Sequence, residues 1–358
     1  MKSIETILIM AIFTLFLSGC VEKEILDDIN LIDGIGFDYV DGKKIRGTIV
    51  FPIFIKDKPP ENRVLTGESL LKKEILQDIQ LQAADPIVTG SMEVVLFSKE
   101  LATKSGITEL MDPFQRDPGV GSGIYLAVVE GETKELFEGK YGVRGNSTHI
   151  SDIIDENIRN EDLPKTNLQI FLADFYSEGK SPFMPIIKKK SKDVVELTGV
   201  SFFNKGKLVE TISSDKMFFF KLLVDKYSEG LHRVKIEEGE AAIRSIRSVH
   251  HYKLIKKNPM EVEVTIDVQG IINEFNGDKM YPNLERKLNK QFEKEINQEC
   301  LALVKNFQEK NIDPIGFGHF VKTQIRGFDY KKWHESLYKD LVVKVKSNVE
   351  VTEAGVIQ

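Results

Sequence analysis

Residues 261–269 read Glu-Val-Glu-Val-Thr-Ile-Asp-Val-Gln, with an apolar side chain at every second position and a polar one between. A period of two marks a β-strand with one dry face and one wet face. Beyond it, Leu284, Leu288, Phe292, Ile296, Cys300, Val304 and Phe307 recur at steps of three and four. That stripe predicts an amphipathic helix of about 25 residues, long for a globular protein. Near the end of the chain Val343, Val345, Val349 and Val351 alternate with Lys344, Lys346, Asn348 and Glu350, a second half-wet strand. Strands of this kind beside amphipathic helices predict an α+β fold of several modules, each an antiparallel or mixed sheet with one face under its helices.

Working toward the N-terminus, Leu197–Phe203 and Lys207–Ile212 flank Asn204-Lys205-Gly206, a hairpin with turn-forming residues in place. Ser213-Ser214-Asp215 supplies cap chemistry for a helix through Leu223. The four lysines in 188–192 mark a solvated loop, and Leu168–Phe175 is strand-like. Strands are also expected at Ile124–Val129 and Glu93–Phe97. Short helices are expected at Ser98–Ser105 and Ile107–Met111, the second ended by Asp112-Pro113. A helix over Gly67–Ala84 would carry Leu71, Ile75, Ile79 and Ala83 on one face. Ile35, Phe37 and Tyr39, then Ile45, Ile49, Phe51 and Ile53, alternate around Asp41-Gly42, the second hairpin. There is no internal repeat. The expected division is a signal over 1–19, an N-terminal α+β region over 20–195 that holds one module or two, and a C-terminal α+β domain over 196–358.

The signal is read from Ile7–Leu17, an apolar run broken only by Thr14 and ending in Leu17-Ser18-Gly19-Cys20. It is shorter than the roughly 20 apolar residues that span a bilayer. Leu-Ser-Gly-Cys has the form of a lipobox, in which small residues fit a peptidase cleft and the thiol is alkylated. Cys20 is therefore the expected lipidation site, and two acyl chains suffice for stable anchoring. The only other cysteine, Cys300, sits on the apolar helical stripe, so no disulfide framework and no multi-cysteine zinc site is expected. With 55 acids against 49 lysines and arginines the chain carries a formal charge of −6, which argues against nucleic acid as a partner.

Chemistry is hard to find. His149, His232, His250, His251, His319 and His334 form no metal-ligand pair, and neighbours His250 and His251 would point to opposite faces of a strand. Gly119-Val120-Gly121-Ser122-Gly123 lacks the spacing of a phosphate loop, and no nucleophile elbow occurs. Gly316-Phe317-Gly318 after Asp313-Pro314 reads as a tight backbone bend with Phe317 in the core. No catalytic, cofactor-binding or metal-binding residue is assigned, and no enzymatic activity is expected.

Several segments together resemble one family, the Ger(x)C spore germination lipoproteins. They are the lipobox, Ile29–Asp38, Thr66–Leu70, Glu93–Phe97 with Glu100–Ala102, Gly106-Ile107, Phe114–Pro118, Leu197–Val209, Asp313–Gly318, Trp333 and the terminal strand ending near Gly355. Val21-Glu22 stands where the family usually has Trp-Asp, and Gly90-Ser91 where it often has Gly-His. The resemblance implies the C subunit of a nutrient germinant receptor. Such a subunit sits on the outer surface of the spore inner membrane, beside integral membrane A and B subunits, without cofactors. The competing reading is a lipid-anchored solute-binding protein of a transporter, against which stands the lack of two similar α/β lobes.

Overall fold

The computed structural model describes residues 29–42, 44–70, 72–117, 119–226, 230–277 and 282–353. Cys20 and the apolar run before it lie outside the described residues. The strands are β1 (Asn30–Leu31), β2 (Gly34–Asp41), β3 (Lys44–Ile53), β4 (Glu61–Ser69), β5 (Ile87–Val88), β6 (Val94–Ser98), β7 (Tyr125–Glu130), β8 (Phe183–Lys189), β9 (Val195–Asn204), β10 (Lys207–Ser213), β11 (Gly230–Ile236), β12 (Gly239–Lys257), β13 (Met260–Phe275) and β14 (Val342–Glu353). The principal helices are α1 (Lys72–Gln80), α2 (Lys99–Lys104), α3 (Thr108–Arg116), α4 (Thr133–Phe137), α5 (Asn146–Asn160), α6 (Leu168–Phe175), α7 (Ser214–Val224), α8 (Pro282–Glu309) and α9 (Phe317–Gln324).

Eight strands form a mixed sheet in the order β10-β9-β8-β7-β6-β2-β3-β4, with parallel pairing from β2 through β6 and β7 to β8 and antiparallel hairpins at both flanks. Successive residues enter opposite layers. Ile35, Phe37, Val95, Phe97, Leu126 and Val128 pack under α1, α2, α3 and α6. Val50, Val94, Leu96, Ala127 and Val129 pack under α4, α5 and α7. Both faces of this sheet are therefore covered, not one, because its central strands are parallel and their crossovers place helices on either side. Gly36 lets α4 close on β2: a Cβ there would stand 2.3 Å from Thr133 Oγ1.

The second sheet runs β11-β12-β13-β14, antiparallel except for the β13–β14 pair. Here the expected one-sided cover holds. Val262, Val264, Ile266 and Val268 point into the core while the Glu263, Thr265, Asp267 row is wetter. The α8 stripe of Leu288, Phe292, Ile296, Cys300, Val304 and Phe307 is fully buried.

Four local expectations change. Leu168–Phe175 is a helix: the Asn167 side chain accepts the Ile170 N–H at 2.9 Å, and Leu168 and Phe171, three apart, share the buried face. Glu61–Ser69 is an edge strand, so the helix that follows begins at Lys72 and not at Gly67; Leu71 lies outside the described residues. α3 continues through Pro113 to Arg116, since burial of Leu110, Met111 and Phe114 outweighs the missing N–H. Lys188 and Lys189 close β8, leaving only Lys190–Lys192 in the loop. The 195/196 border falls at the start of β9, where Val195 pairs with Lys189, so the sheet runs on across it.

Candidate functional site

Several of the titratable groups that could do chemistry are held in structural roles. Among the described residues no cluster of three or more His, Cys, Asp and Glu could hold a metal ion. His250 faces inward 3.1 Å from the Asp225 carbonyl oxygen, with its pKa lowered by burial, whereas the neighbouring His251 is exposed. His232 packs against the rings of both Phe218 and Phe292, at 5.0 and 5.3 Å between centroids, with Glu295 Oε2 3.3 Å from its Nε2. Cys300 is buried, its Sγ 3.5 Å from the Phe219 carbonyl oxygen, and burial pushes its pKa far above that of a reactive thiol.

One pairing escaped the sequence reading. Ser177 Oγ meets His319 Nε2 across 142 residues, and Asp174 lies near the ring. Asp174, however, is held by Lys180 at 2.9 Å. Ser177 Oγ accepts the Gly179 N–H at 3.1 Å, and the His319 backbone N–H donates to the Gly179 carbonyl at 3.2 Å. The group is a clasp that fixes the loop after α6 onto α9. Beside it, Asp313 accepts the N–H groups of Gly316, Phe317 and Gly318 at 2.9, 3.0 and 2.7 Å. Burial raises the Asp313 pKa to about 6 against the pull of those three bonds. Gly316 has φ 87°, and Phe317 is fully buried, so this segment is a bend that caps α9.

The end of the large sheet where the chain enters at Asn30 is more distinctive. Glu93 accepts hydrogen bonds from Thr148 Oγ1 at 3.0 Å and Ser151 Oγ at 2.8 Å, both in the first turns of α5. Asp33, beside Ser147 and Glu93, has its pKa raised to about 7 by burial and further by the Glu93 charge. The Asn146 N–H donates to Asn62 Oδ1 at 2.9 Å. Glu93 and Asp33 thus set acidic side chains of the chain itself at the positive end of α5. A cleft of about 700 Å³ opens next to it, between Lys58–Asn62 and Phe137–Gly142. The glycine run at 119–123 also fails as a phosphate cradle, because the Gly119 N–H donates to Asp117 Oδ1 at 2.8 Å and an acid occupies the loop.

The two halves share a seam. Phe220 of α7 contacts Phe183, Phe202 and Phe307 at 5.1, 5.0 and 5.8 Å between ring centroids, joining both sheets in one core. Lys221, 3% exposed, donates from Nζ to the carbonyls of Ile158 and Glu161 at the C-terminal end of α5. A cation there opposes the negative end of the helix.

This architecture has known counterparts. Residues 22–189 match the family model described as spore germination protein N-terminal domain, and residues 198–355 match spore germination B3/GerAC like, C-terminal. The spore germination protein GerQC of Bacillus cereus is 30% identical over 98% of this chain and 99% of its own length. The chain belongs to the GerAC-like spore germination family. A second relative, spore germination protein KC of Bacillus subtilis (strain 168), is 21% identical over 97% of this chain and 95% of its own. The crystal structure of the GerBC protein superposes with a TM-score of 0.61 at 15% identity, covering 89% of this chain and 96% of that one, and so shares the fold. Membership of the GerAC-like family sets aside the transporter solute-binding reading. No helix among the described residues is long and apolar enough to cross a membrane.

Proposed function

We propose that this chain is the C subunit of a nutrient germinant receptor and works by assembly, not by catalysis. Lipid on Cys20 would hold it on the outer face of the spore inner membrane, beside integral membrane A and B subunits. The observation that carries the reading is family membership over nearly the whole chain, from residue 22 to residue 355. The clasped Ser177–His319 pair, the buried Cys300 and the helix end occupied by Glu93 support a non-catalytic role. Tethering confines the body to a thin layer over the bilayer and raises its effective concentration toward membrane partners, so a modest interface is kept occupied. The test is a spore lacking this gene. It should lose its response to at least one nutrient while still germinating by a route that bypasses nutrients. A spore that answers every nutrient at the normal rate would overturn the proposal.

A further inference from the structure

Among the described residues the three most exposed large hydrophobic side chains are Leu81, Phe54 and Val143, at 87%, 80% and 71%. They come from three separate loops, yet the topology gathers them at one end of the large sheet. β2 and β3 are antiparallel with Gly34 opposite Val50, so the chain traced back from Gly34 to Asn30 runs alongside the chain traced forward from Val50 to Phe54. Leu81 follows the last turn of α1. There Gln80 Nε2 and Asn30 Nδ2 both donate to the Asp85 carbonyl, at 3.2 and 3.0 Å, which ties this helix end to the chain entry. Val143 lies just before Asn146, which is bonded to Asn62 at the start of β4, and Asn62 pairs with Pro52. α1 and α5 cover opposite faces of the sheet, so Leu81 and Val143 lie on its two sides.

This is the end nearest the tether. Cys20 and Asn30 are ten residues apart, which even fully extended spans roughly 35 Å. We infer that this end of the body rests on the bilayer, with Phe54, Leu81 and Val143 entering the headgroup layer. The inference rests on the reading of Cys20 as the lipid anchor. Single apolar side chains that project from separate loops suit a lipid interface, which admits each one individually. A protein partner would instead need a contiguous packed patch. Exposed Lys56, Lys58 and Lys140 are matched by exposed Asp57, Glu61 and Glu138, so the contact is apolar in character and salt should change it little.

The full chain, lipidated and reconstituted in phosphatidylethanolamine–phosphatidylglycerol vesicles, provides the test. Phe54→Cys, Leu81→Cys and Val143→Cys each receive a polarity-sensitive fluorophore. Leu70→Cys, at the far end of β4 and 65% exposed, serves as the control, and the buried Cys300 does not compete for label. Brominated lipid should quench the first three labels at least two-fold and leave the label at position 70 unchanged, in low and high salt alike. Labels at 54, 81 and 143 as open to an aqueous quencher as the one at 70 would overturn the inference. So would loss of the lipid quenching in vesicles that also contain the co-expressed membrane subunits, which would assign the surface to a protein. The mass of the same sample separates the two readings. A chain without lipid on Cys20 removes the anchor and this inference together, whereas a lipidated chain with water-exposed labels removes this inference alone.

Discussion

Phe292 is fully buried and stacked with Phe218 and His232, in the middle of the α8 stripe. The stripe meets its own sheet and is not an open docking face. Phe292→Ala should therefore cost about 3–5 kcal/mol, the usual loss for a buried phenylalanine, measured by denaturant unfolding. Asp33 gives a residue-scale prediction in pH. Its folded pKa of about 7 lies above the ordinary 3.8, so the folded state keeps a proton that the unfolded state releases. Its contribution to stability is fully present below about pH 4, declines as pH rises, and is lost above about pH 7. Asp33→Asn should flatten the stability–pH profile in that window. An unchanged slope would show that Asp33 ionises normally. The stripe of α8 was legible residue by residue because each position is buried as its spacing implies. The burial of Asp33 was not, because it depends on Glu93 and Ser147, distant in the chain.

Elements whose period is set by a single wet–dry boundary were readable: β2–β3, β9–β10, β13, α8 and β14. Where an apolar run is short, period loses its meaning. Leu168–Phe175 has too few polar positions to separate a strand from a helix, and the Asn167 cap decides it. α4 and α5 escaped because their helical faces are narrow and polar residues such as Asn146 and Ser147 are buried in them. The free edge of β14 carries another element-scale device. Glu293 Oε1 accepts the Val349 N–H at 3.1 Å, and Asn289 Oδ1 accepts the Val351 N–H at 3.3 Å. Two side chains of α8 thus occupy donors that would otherwise invite another strand. Replacing both with alanine should cost about 1–3 kcal/mol, within the range for unsatisfied backbone groups, and should raise self-association seen by light scattering.

On the scale of the whole molecule, the eight-stranded sheet crosses the midpoint of the chain, and Phe202, Phe220 and Phe307 bind its core to that of the second sheet. That joint was not visible in the sequence, because contacts among phenylalanines so far apart in the chain leave no local pattern. The class of fold, by contrast, followed from patterning alone. In the proposed receptor role the body acts as one block on a short tether. Cys20→Ala should then give a chain that takes up no fatty-acid analogue in metabolic labelling and is lost from the membrane; equal label on both chains would place the attachment elsewhere. Assembly with membrane subunits is tested by crosslinking in intact spore membranes, with a photoreactive residue walked over exposed positions. Adducts to integral membrane subunits are expected from a contiguous set of positions; recovery of neither subunit from any position, with the chain lipidated and abundant, would overturn the assembly role.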